Sequence, residues 1–255
     1  MAAPAMPAPT MIAEPLARIR PDEFDWEPLG THGLRRKKLG HDEASGYITA
    51  LVEIPKGWHG GGIAHFHHAF EEVYMLAGSV TVGGTHYWHG GDYFFRPAQV
   101  VHGHDERAEE GATALIRSDG PLELLLIHEP EEPDEYPLPA YDDGRGHLYS
   151  LTVAEVDWIA DPEFPEGWRI KPLSADARTG ARTVEVSIPA GWTAIGSTRP
   201  AAWEACVLEG SLIGEKAEFA VGDYSAGPAG TEVFGAKSSA EGCRFVLWLF
   251  APERG

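Results

Sequence analysis

Cysteine is nearly absent: Cys206 and Cys243 are the only two in 255 residues. Both sit on apolar segments of the C-terminal half, where two buried free thiols are the default reading, and neither requires an oxidising compartment. With no cysteine near the histidines considered below, a thiolate metal site is excluded. The chain also lacks any apolar run of roughly 20 residues, the length a membrane helix needs. Its first residues lack the basic start and continuous apolar stretch of a signal peptide, so a cytoplasmic protein is expected. Positive charge is scarce, with 20 Lys and Arg against 39 Asp and Glu and a net charge of −19. Nucleic acid and anionic membrane would both be repelled, and neither is an expected partner. Histidine is missing from everything beyond His147, although the chain holds 12.

What is present points to β structure. Hydrophobic content is 43%, with 30 glycines and 20 prolines, which suits many short strands joined by turns. Strand-like runs are read at Tyr47–Ile54, Glu72–Leu76, Ser79–Val82, Thr85–Trp88, Tyr93–Phe95, Ala112–Arg117 and Leu122–His128. Others follow at Thr183–Ile188, Glu204–Leu208, Gly210–Gly214, Lys216–Phe219 and Arg244–Phe250. Gly83-Gly84 and Ser118-Asp119-Gly120 provide turns. Long amphipathic helical windows are missing, so the fold class is all-β. Residues 1–20 are read as a disordered leader, 21–130 as a first domain, 131–147 as an acidic Pro-rich linker and 148–255 as a second domain.

The two halves repeat one another. Gly33–Leu39 aligns with Gly167–Leu173. The register continues without a gap through Ile54-Pro55-Lys56-Gly57-Trp58 and Ile188-Pro189-Ala190-Gly191-Trp192. Later, Gly91-Asp92-Tyr93 aligns with Gly222-Asp223-Tyr224.

Within the first half lies a potential metal site in two pieces: His65, His67 and Glu71, then His102. On an extended segment side chains alternate with period two, so positions 65, 67 and 71 share a face. His102 would arrive from a neighbouring strand. Three neutral imidazoles and a carboxylate suit one divalent first-row metal, and six-coordination would leave two positions open. In the second half the matching positions are Ser197, Arg199, Trp203 and Val233, which cannot bind a metal.

These residues resemble the two signatures of the cupin superfamily. Gly-x5-His-x-His-x3-Glu-x6-Gly is matched from His65 to Gly78, with His59 where the leading glycine would fall and Gly60, Gly61 and Gly62 directly after it. The second signature is matched at Gly91, Pro97 and His102, with Gln99 where it has Gly and Glu106 where it has Asn. The resemblance implies two cupin barrels in tandem, of the double-stranded β-helix or jelly-roll type, one metal-bearing and one degenerate. ChrR-like cupins and the cupin acetylacetone and dihydroxyacetophenone dioxygenases are similar.

That likeness implies a non-haem dioxygenase, with Fe(II) expected before Mn, Ni or Zn. It would cleave a C–C bond of a small enolisable ketone or β-diketone, aromatic ones included, with O2 as second substrate. The alternatives are a metal-dependent isomerase, epimerase, decarboxylase or lyase that uses no O2, and a non-enzymatic metal or ligand sensor. Glu71, as ligand or base, and His104, which shares the face of His102 on a continuing strand, are the expected catalytic residues. On the strand before His102, either Tyr93 with Phe95 or Phe94 with Arg96 faces inward. An inward Arg96 would favour a carboxylate or enolate. His68 has the wrong parity for a ligand. The glycine loop after His59 could gate access, and a homodimer is expected from open barrel edges.

Overall fold

The computed structural model describes residues 15–30, 32–132, 134–138, 144–194 and 201–251. Among them there is no α-helix, only strands and three short 3-10 turns. Among the described residues no helix is long and apolar enough to cross a membrane. The described chain forms two compact units, one of residues 25–154 and one of residues 155–251 with 15–24.

In the first unit the main sheet is antiparallel. Its strands run in space in the order Glu27–Leu29, Leu34–Asp42, Tyr47–Ile54, Ala112–Ser118, Glu71–Val80, Asp92–Arg96 and Leu148–Thr152. Short pairs complete the barrel: Trp58–His59 with Arg107–Ala108, Ala64–Phe66 with Leu125–Ile127, and Val100–Val101 with Tyr136–Pro137. The second unit repeats the order with Arg169–Ala175, Arg182–Ile188, Cys243–Leu249, Trp203–Ile213 and Tyr224–Gly227. Each is a jelly-roll barrel, so the internal repeat is a repeat of topology.

The central strands run longer than hydrophobic alternation suggests. Glu71–Val80 is one strand although the sequence reads as two runs broken at Gly78. Gly78 has φ +74°, and a Cβ there would lie 2.0 Å from the carbonyl oxygen of Gly111; Gly210 in the second unit has φ +70° and the same closeness, 2.1 Å, to Gly242. At this point the strand passes a neighbouring backbone too closely for a side chain, so glycine continues the strand here instead of ending it.

The domain limits also differ from those read in the sequence. Leu148–Thr152 belongs to the first sheet, paired with Asp92–Arg96, and the stretch read as a linker contributes Tyr136–Pro137 to the same unit. Proline and acidic content signal a connector, but backbone pairing between residues 35 to 60 positions apart leaves no trace in local composition. Residues 15–20 of the expected leader pack on the second unit. Leu16 is buried, and Ile19 exchanges backbone hydrogen bonds of 2.8 and 2.9 Å with Tyr224 at the edge of a strand. Residues 1–14 lie outside the described residues. Cys206 and Cys243 are buried free thiols, each pushed up to about 12 by burial.

The interior of the second barrel is a continuous apolar core that includes Trp168, Val186, Trp203, Phe219, Val233, Phe234 and Phe245. Trp203 and Val233 stand where the repeat places Glu71 and His102. Trp203 is fully buried, its Nε1–H donating to Thr231 Oγ1 at 3.0 Å, with its ring 5.9 Å from that of Phe234. Ser197 and Arg199 lie outside the described residues.

Behind the strand that carries Glu71, the next residue enters a buried polar cluster. Glu72 accepts hydrogen bonds from Arg117 Nη1 at 2.6 Å and from Tyr93 OH at 2.7 Å, with Arg145 at 3.6 Å. Removing one partner of a buried ion pair leaves the other unpaid for. Glu72→Ala should therefore destabilise the first unit by ~3–5 kcal/mol in urea unfolding. A loss below ~1 kcal/mol, the range of exposed pairs, would show that the cluster does not hold the sheet.

Candidate metal centre

His65 lies in the short strand Ala64–Phe66, while His67 follows it outside the strand. Glu71 opens the next strand in a different sheet, so the shared face expected of positions 65, 67 and 71 on one extended segment does not exist. Glu71 reaches the site because its own strand pairs with Asp92–Arg96. His102 is brought in by an antiparallel bridge to His65: His65 N–H donates to the His102 carbonyl at 2.7 Å and His102 N–H to that of His65 at 2.8 Å. Gln99, the departure from the signature glycine, adopts φ +63°, the left-handed conformation that glycine would take without strain. The loop geometry survives, because Gln99 N–H still donates to the His67 carbonyl at 2.8 Å.

The three imidazoles converge, one ring nitrogen of each lying within 4.8 Å of the others. All three are buried. Their tautomers follow from their partners. The Nδ1 atoms of His65, His67 and His102 face the carbonyl oxygens of Ile63, Glu123 and Val100 at 3.2, 3.0 and 2.9 Å. A carbonyl can only accept, so each Nδ1 carries the hydrogen and each Nε2 keeps a lone pair. Burial also pushes all three below the ordinary imidazole pKa, His102 furthest, with Arg96 adding to its shift. Neutral rings with free Nε2 lone pairs are what a divalent ion requires. The residues present fit a metal.

Glu71 stands differently from the histidines. Its Oε2 is 4.0 Å from His102 Nε2, but the same oxygen accepts a hydrogen bond from Arg96 Nη1. Of the two inward options on that strand, the structure takes Phe94 with Arg96: Phe94 joins the barrel core, while Tyr93 points to Glu72 on the other face. Arg96 is engaged on one side by Glu71 and on the other by Glu135, whose second oxygen meets His147 Nε2 at 2.9 Å. Despite burial, Glu135 and Glu71 hold the guanidinium charged, and Arg96 with His147 keeps the Glu135 carboxyl below its usual range. Sequence reasoning missed Glu135 and His147, because both fall at the stretch read as a linker.

His104 is in a turn after His102, not on a continuing strand. Both its ring nitrogens are buried without a hydrogen-bond partner among the described residues, and neither joins the three converging nitrogens. His68 is exposed, and so is His59. Glu106, noted in the sequence only as a replacement for asparagine, carries a carboxyl pushed up to about 7, chiefly by burial and then by Glu71, against the opposite pull of Arg96.

His65→Ala or His102→Ala should abolish metal retention while leaving the circular dichroism of a folded β protein. Normal metal content by elemental analysis in either variant would disprove the assignment. Glu106 titrates at about 7 when folded against 4.5 when free, so its contribution to stability is complete below pH 4.5 and is lost as pH rises through 7. Glu106→Gln should therefore stabilise the metal-free chain more at pH 8 than at pH 5. Equal effects at both values, read from urea midpoints, would contradict that environment.

The model of the ChrR cupin-like domain matches residues 15–122 and 148–250. No curated protein is detectably similar in sequence. Among solved structures, a candidate dioxygenase from Nostoc punctiforme is 16% identical, over 93% of this chain and 80% of its own, with a TM-score of 0.73. A candidate glyoxylate-induced protein from Pseudomonas aeruginosa is 14% identical, over 100% and 97%, with a TM-score of 0.65. The Bacillus subtilis oxalate decarboxylase, described with Mn(II) centres, is 12% identical over 98% and 79%, with a TM-score of 0.54. With both halves matched by one family model and each folded as a jelly-roll barrel, the chain belongs to the ChrR cupin-like family.

Proposed function

We propose that the first barrel is a metal-dependent enzyme site that binds Fe(II) and uses O2 to cleave a C–C bond in a small enolisable ketone or β-diketone. The observation that carries this is the set of three buried, neutral imidazoles with Nε2 lone pairs free, beside a carboxylate already held by an arginine. Three firm ligands and one carboxylate shared with Arg96 leave coordination positions for an oxygen-chelating substrate. Bound there, a divalent ion supplies Lewis acidity and, as Fe(II), reactivity toward dioxygen.

The chain's own residues supply the rest. Arg96, buried between Glu71 and Glu135, hydrogen-bonds Glu71 and fixes its position. Glu71 and His104 are the groups singled out from sequence for moving a proton. Leu126 pairs directly with His65 and so shares its face. It is 48% exposed, as Leu124 is at 57%, and this apolar lip beside a ligand suits a substrate with an apolar or aromatic part.

A second reading rests on the Mn(II) centres of the similar oxalate decarboxylase: a decarboxylase, isomerase or lyase that uses the same ligands without O2. Elemental analysis of protein purified without a metal-chelating tag separates the two, followed by an oxygen-electrode assay of the iron-loaded form against a panel of enolisable ketones. One iron per chain with oxygen uptake is the expected result. Zn, Mn or Ni with no uptake on that panel would reject the dioxygenase in favour of the second reading.

A further inference from the structure

Among the described residues Glu71, Glu106 and Glu135 act on Arg96, and two of them are committed. Glu71 is held by Arg96, and Glu135 by Arg96 and His147. The third, Glu106, makes no side-chain hydrogen bond or ion pair among the described residues, although it is only partly exposed and feels the charges of both Glu71 and Arg96. A half-buried carboxyl group without a hydrogen-bonding partner carries a desolvation cost, and such groups concentrate where they are used.

Its position is set by two glycines. Glu106 is anchored through its backbone, its carbonyl accepting the Gly60 N–H at 2.8 Å. A Cβ on Gly60 would come within 2.2 Å of Glu106 Oε2 and 2.7 Å of its Cβ, so only glycine leaves room for this side chain. The space a Cβ would fill at Gly103 is bounded by His65 Cε1 at 2.4 Å and by Glu106 Oε1 at 3.4 Å. The carboxyl group therefore sits beside the ring of a metal-ligating histidine without joining the converging ligand atoms.

We propose that Glu106 is the catalytic carboxylate that takes the α-proton from the substrate, working beside the His65 ring in the space that Gly60 and Gly103 leave open. This rests on the reading of the site as one for enolisable ketones. In the step the Cα–H bond breaks and its proton forms an O–H bond on Glu106. The electron pair moves into the bond between Cα and the carbonyl carbon, and the carbonyl π pair moves to oxygen, giving the enolate. No oxidant is consumed, so the step is common to the oxidative and non-oxidative readings.

The test is deuterium exchange into hydroxyacetone, followed by proton NMR in D2O under argon, with metal-loaded wild type, Glu106→Gln, Glu71→Gln and Gly60→Ala. Metal content and the Kd for acetohydroxamate, an anionic enolate mimic, are measured on the same samples. Wild type should exchange, and Glu106→Gln should lose on the order of a hundredfold or more in rate. It should keep one metal per chain and bind acetohydroxamate more tightly, since a facing negative charge is gone. Gly60→Ala, which displaces the carboxyl, should also keep its metal and exchange slowly. Exchange persisting in Glu106→Gln, or loss of metal from it, overturns the proposal. If exchange vanishes only in Glu71→Gln, Glu71 is the base and this inference alone fails. If fully metallated wild type does not exchange at all, the enolisable-ketone reading fails and takes this inference with it.

Discussion

Two backbone hydrogen bonds between His65 and His102 hold the site together. They form an isolated antiparallel bridge between segments 37 residues apart, and through it the first motif meets the second. The convergence of the imidazoles uses this registration, while Glu71 and Arg96 are brought together by the pairing of their own strands. The three Nδ1–H groups can be oriented by main-chain carbonyls because the segments that carry the rings are themselves pinned. Fixed tautomers then present three lone pairs in one place, and burial keeps the rings neutral.

Beside the imidazoles the barrel places Glu71, Glu106 and Glu135 around the buried Arg96. Arg96 divides itself between Glu71 and Glu135, which anchors Glu71 and leaves Glu106 without a hydrogen-bonded cation among the described residues. Carboxyl groups of identical chemistry thus stand in different electrostatic states within one site, the arrangement that separates acid from base roles in general.

The two barrels share a strand order and differ in what fills them. In the first, His65, His67, His102 and Arg96 occupy the interior beside Val73, Met75 and Phe94; in the second, Trp203, Val233 and Phe234 fill an unbroken apolar core. A barrel interior is packed by side chains, and in the second barrel Trp203 stands where Glu71 does in the first. Trp203 satisfies its one donor on Thr231.

The sequence by itself determined the all-β class, the internal repeat, the loss of ligands in the second half and the three histidines, since motif spacing and strand alternation are local properties. It could not determine which side of the strand before His102 faces inward, nor that Glu71 starts a new strand. Gln99 in a left-handed conformation and Gly78 inside a strand were equally invisible, because both depend on a neighbouring backbone. Only the tertiary structure decided that Leu148–Thr152 completes the first sheet, that Glu135 leaves an apparent linker to hold Arg96 while His147 binds Glu135, and that Glu106 stands near His65 without a side-chain partner among the described residues. Those outcomes rest on ion pairs and strand pairings between residues 25, 39 and more positions apart, which no window of sequence contains.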